Sequence, residues 1–167
     1  MRRRLVSSHP ALPPGITIRP ATEDDAEVIA ALTHRAFATQ AALYEDDSLP
    51  PLSDTAESVT AEIAQGWVVL VAERSGEIVG SVRGHVTDGV CRVGRLVVEP
   101  GIQRSGIGRA LAVELECHVP SAERFEIFTG HRSEPALCLY ESLGYVRERV
   151  EPVHERLSLV FLGKHRG

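Results

Sequence analysis

Gly106 and Gly108, set between an apolar run and an amphipathic one, are the residues whose types and spacing point most directly to chemistry. The stretch Leu96-Val97-Val98-Glu99-Pro100-Gly101-Ile102-Gln103-Arg104-Ser105-Gly106-Ile107-Gly108-Arg109-Ala110-Leu111 reads as a strand, a turn marked by Pro100 and Gly101, and a loop that opens onto a helix. A helix start offers unpaired backbone N–H groups and partial positive charge, and glycines remove the Cβ atoms that would keep an anion at a distance. This pattern predicts a cradle of peptide nitrogens for a pyrophosphate. Glycine pairs also serve simply to allow a tight strand-to-helix turn, so on this loop alone both readings stand.

The elements around the loop follow from periodicity. Residues 1–15, with the prolines at 10, 13 and 14, read as a flexible N-terminal arm, and residues 16–167 as one domain. Ile16 to Arg19 alternates as a strand and stops at Pro20. Thr22 reads as an N-cap with Glu23, Asp24 and Asp25 in the first turn of a helix running to about Thr39, which would bury Val28, Ile29, Leu32, Ala36 and Phe37. The acidic and Pro-rich segment from Leu43 to Leu52 reads as a loop, and Asp54 to Gln65 as a second helix stopped by Gly66. The period then changes. Trp67–Glu73, Ile78–Val86 and Val90–Val98 read as three strands of an antiparallel meander, joined by Ser75-Gly76 and Asp88-Gly89. Gly94 suggests a bulge in the last of them. After the loop, Ile107, Ala110, Leu111 and Leu115 fall at helical spacing. Phe125–Thr129 is a strand, a helix runs from near Ser133 to before Gly144, and Tyr145–Val150 and Glu155–Leu162 read as two last strands.

Composition narrows the function classes. A chain of 167 residues with 43% hydrophobic and 25% charged residues is an ordinary globular domain. Its net charge of −5 gives no overall attraction to nucleic acid or an anionic membrane, so an anionic ligand would be held by local geometry. Cys91, Cys117 and Cys138 show no metal-ligand or disulfide spacing, which predicts no metal and a reducing, cytoplasmic setting. Met1-Arg2-Arg3-Arg4 has no apolar region behind it and reads as part of the arm rather than a signal peptide. No apolar run reaches the roughly 20 residues needed to cross a bilayer.

Two motifs in this order resemble the GNAT superfamily of acyl-CoA-dependent N-acetyltransferases. The first is Leu96, Val98 and Pro100 followed by Gln103, Gly106 and Gly108; the second is Ala136, Leu139, Tyr140, Gly144 and Tyr145, with Ser133 where the pattern has Asn. The resemblance covers about residues 16 to 162. It implies an α/β (α+β) single domain with a mixed, mostly antiparallel sheet of about seven strands, flanked by about four helices and splayed at the cofactor-binding strand.

It also implies acetyl-CoA as co-substrate and direct transfer of the acetyl group to a primary amine. The pyrophosphate would lie on the backbone from Arg104 to Arg109, through Ser105, Gly106, Ile107 and Gly108, with Gln103 and Arg104 assisting. Main-chain groups of Leu96, Val97 and Val98 would pair with the pantetheine arm, and Ser133 is carried over as a cofactor-binding position. Tyr140 stands where the family has a general acid for the departing thiolate.

Where relatives carry a basic Glu, this chain has Arg92 and Phe128. Glu126 and His131 are nearby carboxylate and imidazole groups that are as readily structural, and water or a neutral amine would make a base unnecessary. Glu45, Asp46 and Asp47 border the acceptor region of many relatives and equally suit a solvated loop. Cys138 reads as packing. Homodimers are frequent among relatives. The same motifs admit a catalytically weak or inactive acyl-CoA-binding sensor.

Overall fold

The computed structural model describes residues 12–167. Seven strands, β1 (Ile16–Pro20), β2 (Val68–Arg74), β3 (Glu77–Thr87), β4 (Val90–Val98), β5 (Arg124–Gly130), β6 (Val146–His154) and β7 (Leu157–His165), form one sheet. Their order is β1-β2-β3-β4-β5-β7-β6, antiparallel except where β4 meets β5. Helices α1 (Ala26–Tyr44) and α2 (Ala56–Ala64) pack on Val69 and Val71, while α3 (Ile107–His118) and α4 (Glu134–Ser142) join a larger apolar cluster with Leu70, Val82, Val93, Phe125 and Leu162. The α/β architecture expected from the residues is the one observed.

Local chemistry explains most of the connections. Ser75-Gly76 and Asp88-Gly89 all have positive φ, between 52° and 79°, as the tight turns between twisted antiparallel strands require. A capping box at Thr55 starts α2, and Gly66 at φ +87° follows its end. On β3, Gly80 and Gly84 face α3, where a Cβ would meet Leu111 Cδ1 at 2.9 Å and Leu115 Cδ2 at 3.1 Å. Their missing side chains let the helix lie close against the sheet.

Several boundaries differ from expectation. A short 3-10 turn over Glu23–Asp25 precedes α1, so the helix begins at Ala26 and its buried stripe is Ala26, Ile29, Ala30, Leu32 and Thr33, leaving Val28 46% exposed. Helix α1 also continues to Tyr44, because Ala41 and Tyr44 are buried; the stretch read as a loop starts only at Glu45 and contains a 3-10 turn over Pro50–Ser53. Asp54 precedes the cap of α2 rather than opening the helix. Cys138 is exposed, because α4 turns Leu137 and Tyr140 inward. Most of the arm falls outside the described residues; of the remainder, Pro13 accepts the Ile16 N–H at 3.1 Å and lies beside Gly106.

Candidate active site

β4 leaves its neighbour part-way along its length. It pairs with β5 only at Val90–Arg124, Cys91–Phe125 and Arg92–Glu126, and from Val93 onward the two strands diverge. A bulge accompanies the divergence. Gly94 is opposite Arg83 and Val97 is opposite Ser81, so Val82 of β3 faces both Arg95 and Leu96. The bulge therefore falls just past the glycine expected to mark it, and Arg95 adopts the left-handed region at φ +51°. Towards β5, the main chain of Leu96, Val97 and Val98 borders a gap instead of a partner strand.

The gap runs into the loop before α3. Ile102 N–H bonds Glu99 O at 3.2 Å across Pro100 and Gly101, and the Ser105 hydroxyl donates to Ile102 O at 2.7 Å. Arg35 grips the Glu99 carboxylate with two hydrogen bonds, at 3.0 and 2.7 Å, which lowers its pKa and ties the end of β4 to α1. Arg104 and Gly106 have positive φ, of 64° and 86°. The first backbone bond of α3 runs from Ala110 N–H to Gly106 O, and among the described residues the N–H groups from Gln103 to Arg109 have no protein acceptor. Gln103, Arg104, Ser105, Gly106 and Arg109 are exposed and Gly108 is half-buried, while the Ile107 side chain anchors the turn in the core. A row of free donors at a helix start can hold an anion.

Tyr140 is 6% exposed, in the same cluster that Leu96 and Val98 pack against, with its ring 6.1 Å from that of Tyr145. Burial raises its pKa above that of an ordinary phenol, so the group stays protonated. Ser133 is buried at the start of α4 in a relay: Arg132 N–H donates to the Tyr44 hydroxyl at 3.0 Å, Tyr44 bonds Ser133 Oγ at 2.7 Å, and Ser133 donates to Gln40 at 2.8 Å. Removing the middle link leaves buried groups unsatisfied. Tyr44→Phe is expected to cost about 1–3 kcal/mol, read as a fall in Tm of roughly 2–10 °C by calorimetry.

Glu126, His131 and Asp46, also singled out in the sequence, are engaged. Glu126, at the last β4–β5 pair, lies 3.6 Å from Arg149; His131 Nδ1 accepts the Ser158 N–H at 2.9 Å. Asp46 takes hydrogen bonds from Ser48 and, at 2.8 Å, from His154, which together hold its pKa at about 2. That carboxylate clasps the α1–α2 connection to the β6–β7 hairpin. Phe128 is 51% exposed beside the Phe161 ring at 5.2 Å. Among the described residues no cluster of three or more His, Cys, Asp or Glu could hold a metal, and no helix is long and apolar enough to cross a membrane.

Residues 65–147, which include β2 to β5, the glycine loop and Tyr140, match the family model of the acetyltransferase (GNAT) domain. The chain belongs to the GNAT superfamily. Its GNAT fold is similar to that of PaiA N-acetyltransferase from Thermoplasma acidophilum, solved with coenzyme A, with a TM-score of 0.75, 16% identity, and 90% of this chain and 99% of that one covered. It is also similar to a phosphinothricin acetyltransferase from Sinorhizobium meliloti, solved with acetyl-CoA, with a TM-score of 0.75, 17% identity, and 92% and 89% covered. A curated relative, the mycothiol acetyltransferase of Streptomyces avermitilis, is 30% identical over 174 residues, spanning 95% of this chain and 53% of its own length. The chain spans between 18% and 53% of the length of the first curated relatives it matches.

Behind β4 this GNAT domain holds an ion network that the sequence reading missed. Arg83 on β3 is 1% exposed and bonds Asp54 at 2.9 Å, Glu62 at 3.2 Å and Thr33 at 3.3 Å. Arg95 reaches the same Asp54 carboxylate at 3.0 and 3.3 Å, and His34 Nε2 donates to the Asp54 carbonyl at 2.6 Å. The signal that could have found it is Arg83 itself, a charge in the middle of an apolar strand.

Proposed function

We propose that this chain is an N-acetyltransferase that moves the acetyl group of acetyl-CoA directly to a primary amine of a small molecule, peptide or protein. The observation that carries the reading is the continuity of the β4–β5 gap with the N–H groups from Gln103 to Arg109, which have no acceptor among the described residues. A thioester arm with amides fits beside a strand whose outer groups lack a partner, and a pyrophosphate fits the helix start.

Acetyl-CoA supplies an activated acyl group, and the chain's own residues do the rest. Leu96, Val97 and Val98 offer main-chain groups to the pantetheine, while the backbone of Arg104 to Arg109, with Gln103, holds the phosphates. Fixed donors near the thioester carbonyl orient it for the incoming amine and stabilise charge on its oxygen. As the amine nitrogen bonds to the acetyl carbon and the carbon–sulfur bond breaks, Tyr140 gives its proton to the sulfur and recovers one from solvent. Water accepts the proton that the amine loses. Ser133 acts through its relay with Tyr44 and Gln40, keeping the start of α4 in place.

The arm over residues 1–15 and the domain over 16–167 complete the reading, with a cytoplasmic setting. A screen of amines that reports free CoA thiol, with calorimetric titration of acetyl-CoA, tests it. Binding together with thiol release on at least one amine is the expected result. Absence of any affinity for CoA or its thioesters overturns it. Binding without release across a broad panel selects the sensor reading, which the presence of Arg92 and Phe128 in place of a basic Glu favours.

A further inference from the structure

Arg95 has a backbone conformation unusual for its position. The other non-glycine residues with positive φ among those described are Glu45 at the end of α1, Ser75 and Asp88 in hairpin turns, and Arg104 in the glycine loop; Arg95 alone lies inside a strand. An L residue adopts this conformation only when its surroundings hold it there. What holds Arg95 is Asp54, which takes the guanidinium through both carboxylate oxygens. Asp54 is itself fixed by the buried Arg83 and by His34, and its own side chain is only 9% exposed.

We propose that Asp54 is a positioning residue for the cofactor strand. By holding the Arg95 guanidinium it maintains the β4 bulge, and the bulge turns Leu96, Val97 and Val98 away from β5 so that their main-chain groups face the gap. Asp54 belongs to the connection between α1 and α2. One carboxylate therefore sets both the register of the strand and the place of that connection. The inference rests on the reading of Leu96 to Val98 as the segment that pairs with pantetheine.

The test uses acetyl-CoA affinity, measured by calorimetry on the full chain, in a double-mutant cycle. Glycine adopts positive φ without help, so Arg95→Gly keeps the bulge unaided while Arg95→Ala does not. Arg95→Gly is expected to bind acetyl-CoA at least about fivefold more tightly than Arg95→Ala. Asp54→Asn, which keeps the side-chain volume, is expected to weaken binding about fivefold or more with Arg95 present and less than about twofold in the Arg95→Gly background. Equal affinities of the Gly and Ala variants overturn the proposal. So does a loss on Asp54→Asn that is the same in both backgrounds, as a general effect on folding would give. If the native chain binds acetyl-CoA and these inequalities fail, this inference alone falls; if the native chain shows no affinity, the proposed function falls instead.

Discussion

Gly106→Val is expected to weaken acetyl-CoA binding by about a hundredfold or more, with a fall in Tm of only a few degrees. Gly106 has φ +86° and ψ 0°, a conformation that costs an L residue roughly 1–2 kcal/mol. The glycine is exposed, and among the described residues a Cβ there would touch only Pro13 Cγ, at 3.5 Å, so the folded state loses little else. Ligand binding loses much more. A branched side chain stands over the N–H groups at the start of α3, and each hydrogen bond from a backbone donor to a charged oxygen contributes about 1.5–3 kcal/mol. Losing two of them is enough for the stated factor at about 1.4 kcal/mol per tenfold. Calorimetric titration with acetyl-CoA, alongside a thermal melt, separates the two effects. Affinity retained within about threefold would place the phosphates elsewhere.

Tyr140→Phe is expected to reduce thiol release by about a hundredfold at saturating acetyl-CoA while leaving the affinity for acetyl-CoA unchanged. The ring keeps its place against Tyr145, so the substitution removes the hydroxyl proposed as the proton donor and little packing. Burial raises the Tyr140 pKa above that of a free phenol, which sets the pH dependence. The acid form persists through the range near pH 10 where an exposed tyrosine would ionise, so the native rate should show no alkaline loss there attributable to this group. Stopped assays of CoA thiol on both proteins from pH 7 to 10 measure this. Undiminished turnover in the phenylalanine variant would take the tyrosine out of the mechanism.

Local signals carried most of the fold. Asp88-Gly89 and Ser75-Gly76 specify tight hairpins within a few residues of chain, and the meander they create leads directly into β4 and the glycine loop. The loop was legible for the same reason, since its chemistry lies in consecutive residues. Asp54 was not. Its partners Arg83 and Arg95 lie 29 and 41 positions away, and in the sequence it resembles any acidic residue before a helix. A strand glycine such as Gly94 is the local sign of a bulge, whereas the positive φ falls on Arg95, where a distant carboxylate supports it. The full length of α1 is illegible for a similar reason. Tyr44 belongs to the helix through its burial against Ser133 and Gly130 of the far strand and loop, and the acidic residues after it gave the opposite local signal.

Gly80 and Gly84 carry no functional group, yet they determine how far α3 stands from the sheet. Since the helix is seated on the bare backbone of β3, the height of its first turn above the sheet is set by packing, and in the proposed function so is the spacing between the two ends of a bound cofactor. A methyl group at Gly80 would act as a shim: it would press on Leu111 and Ile107, lift the whole helix and carry its first turn with it, slackening the grip on the phosphates proposed for that turn.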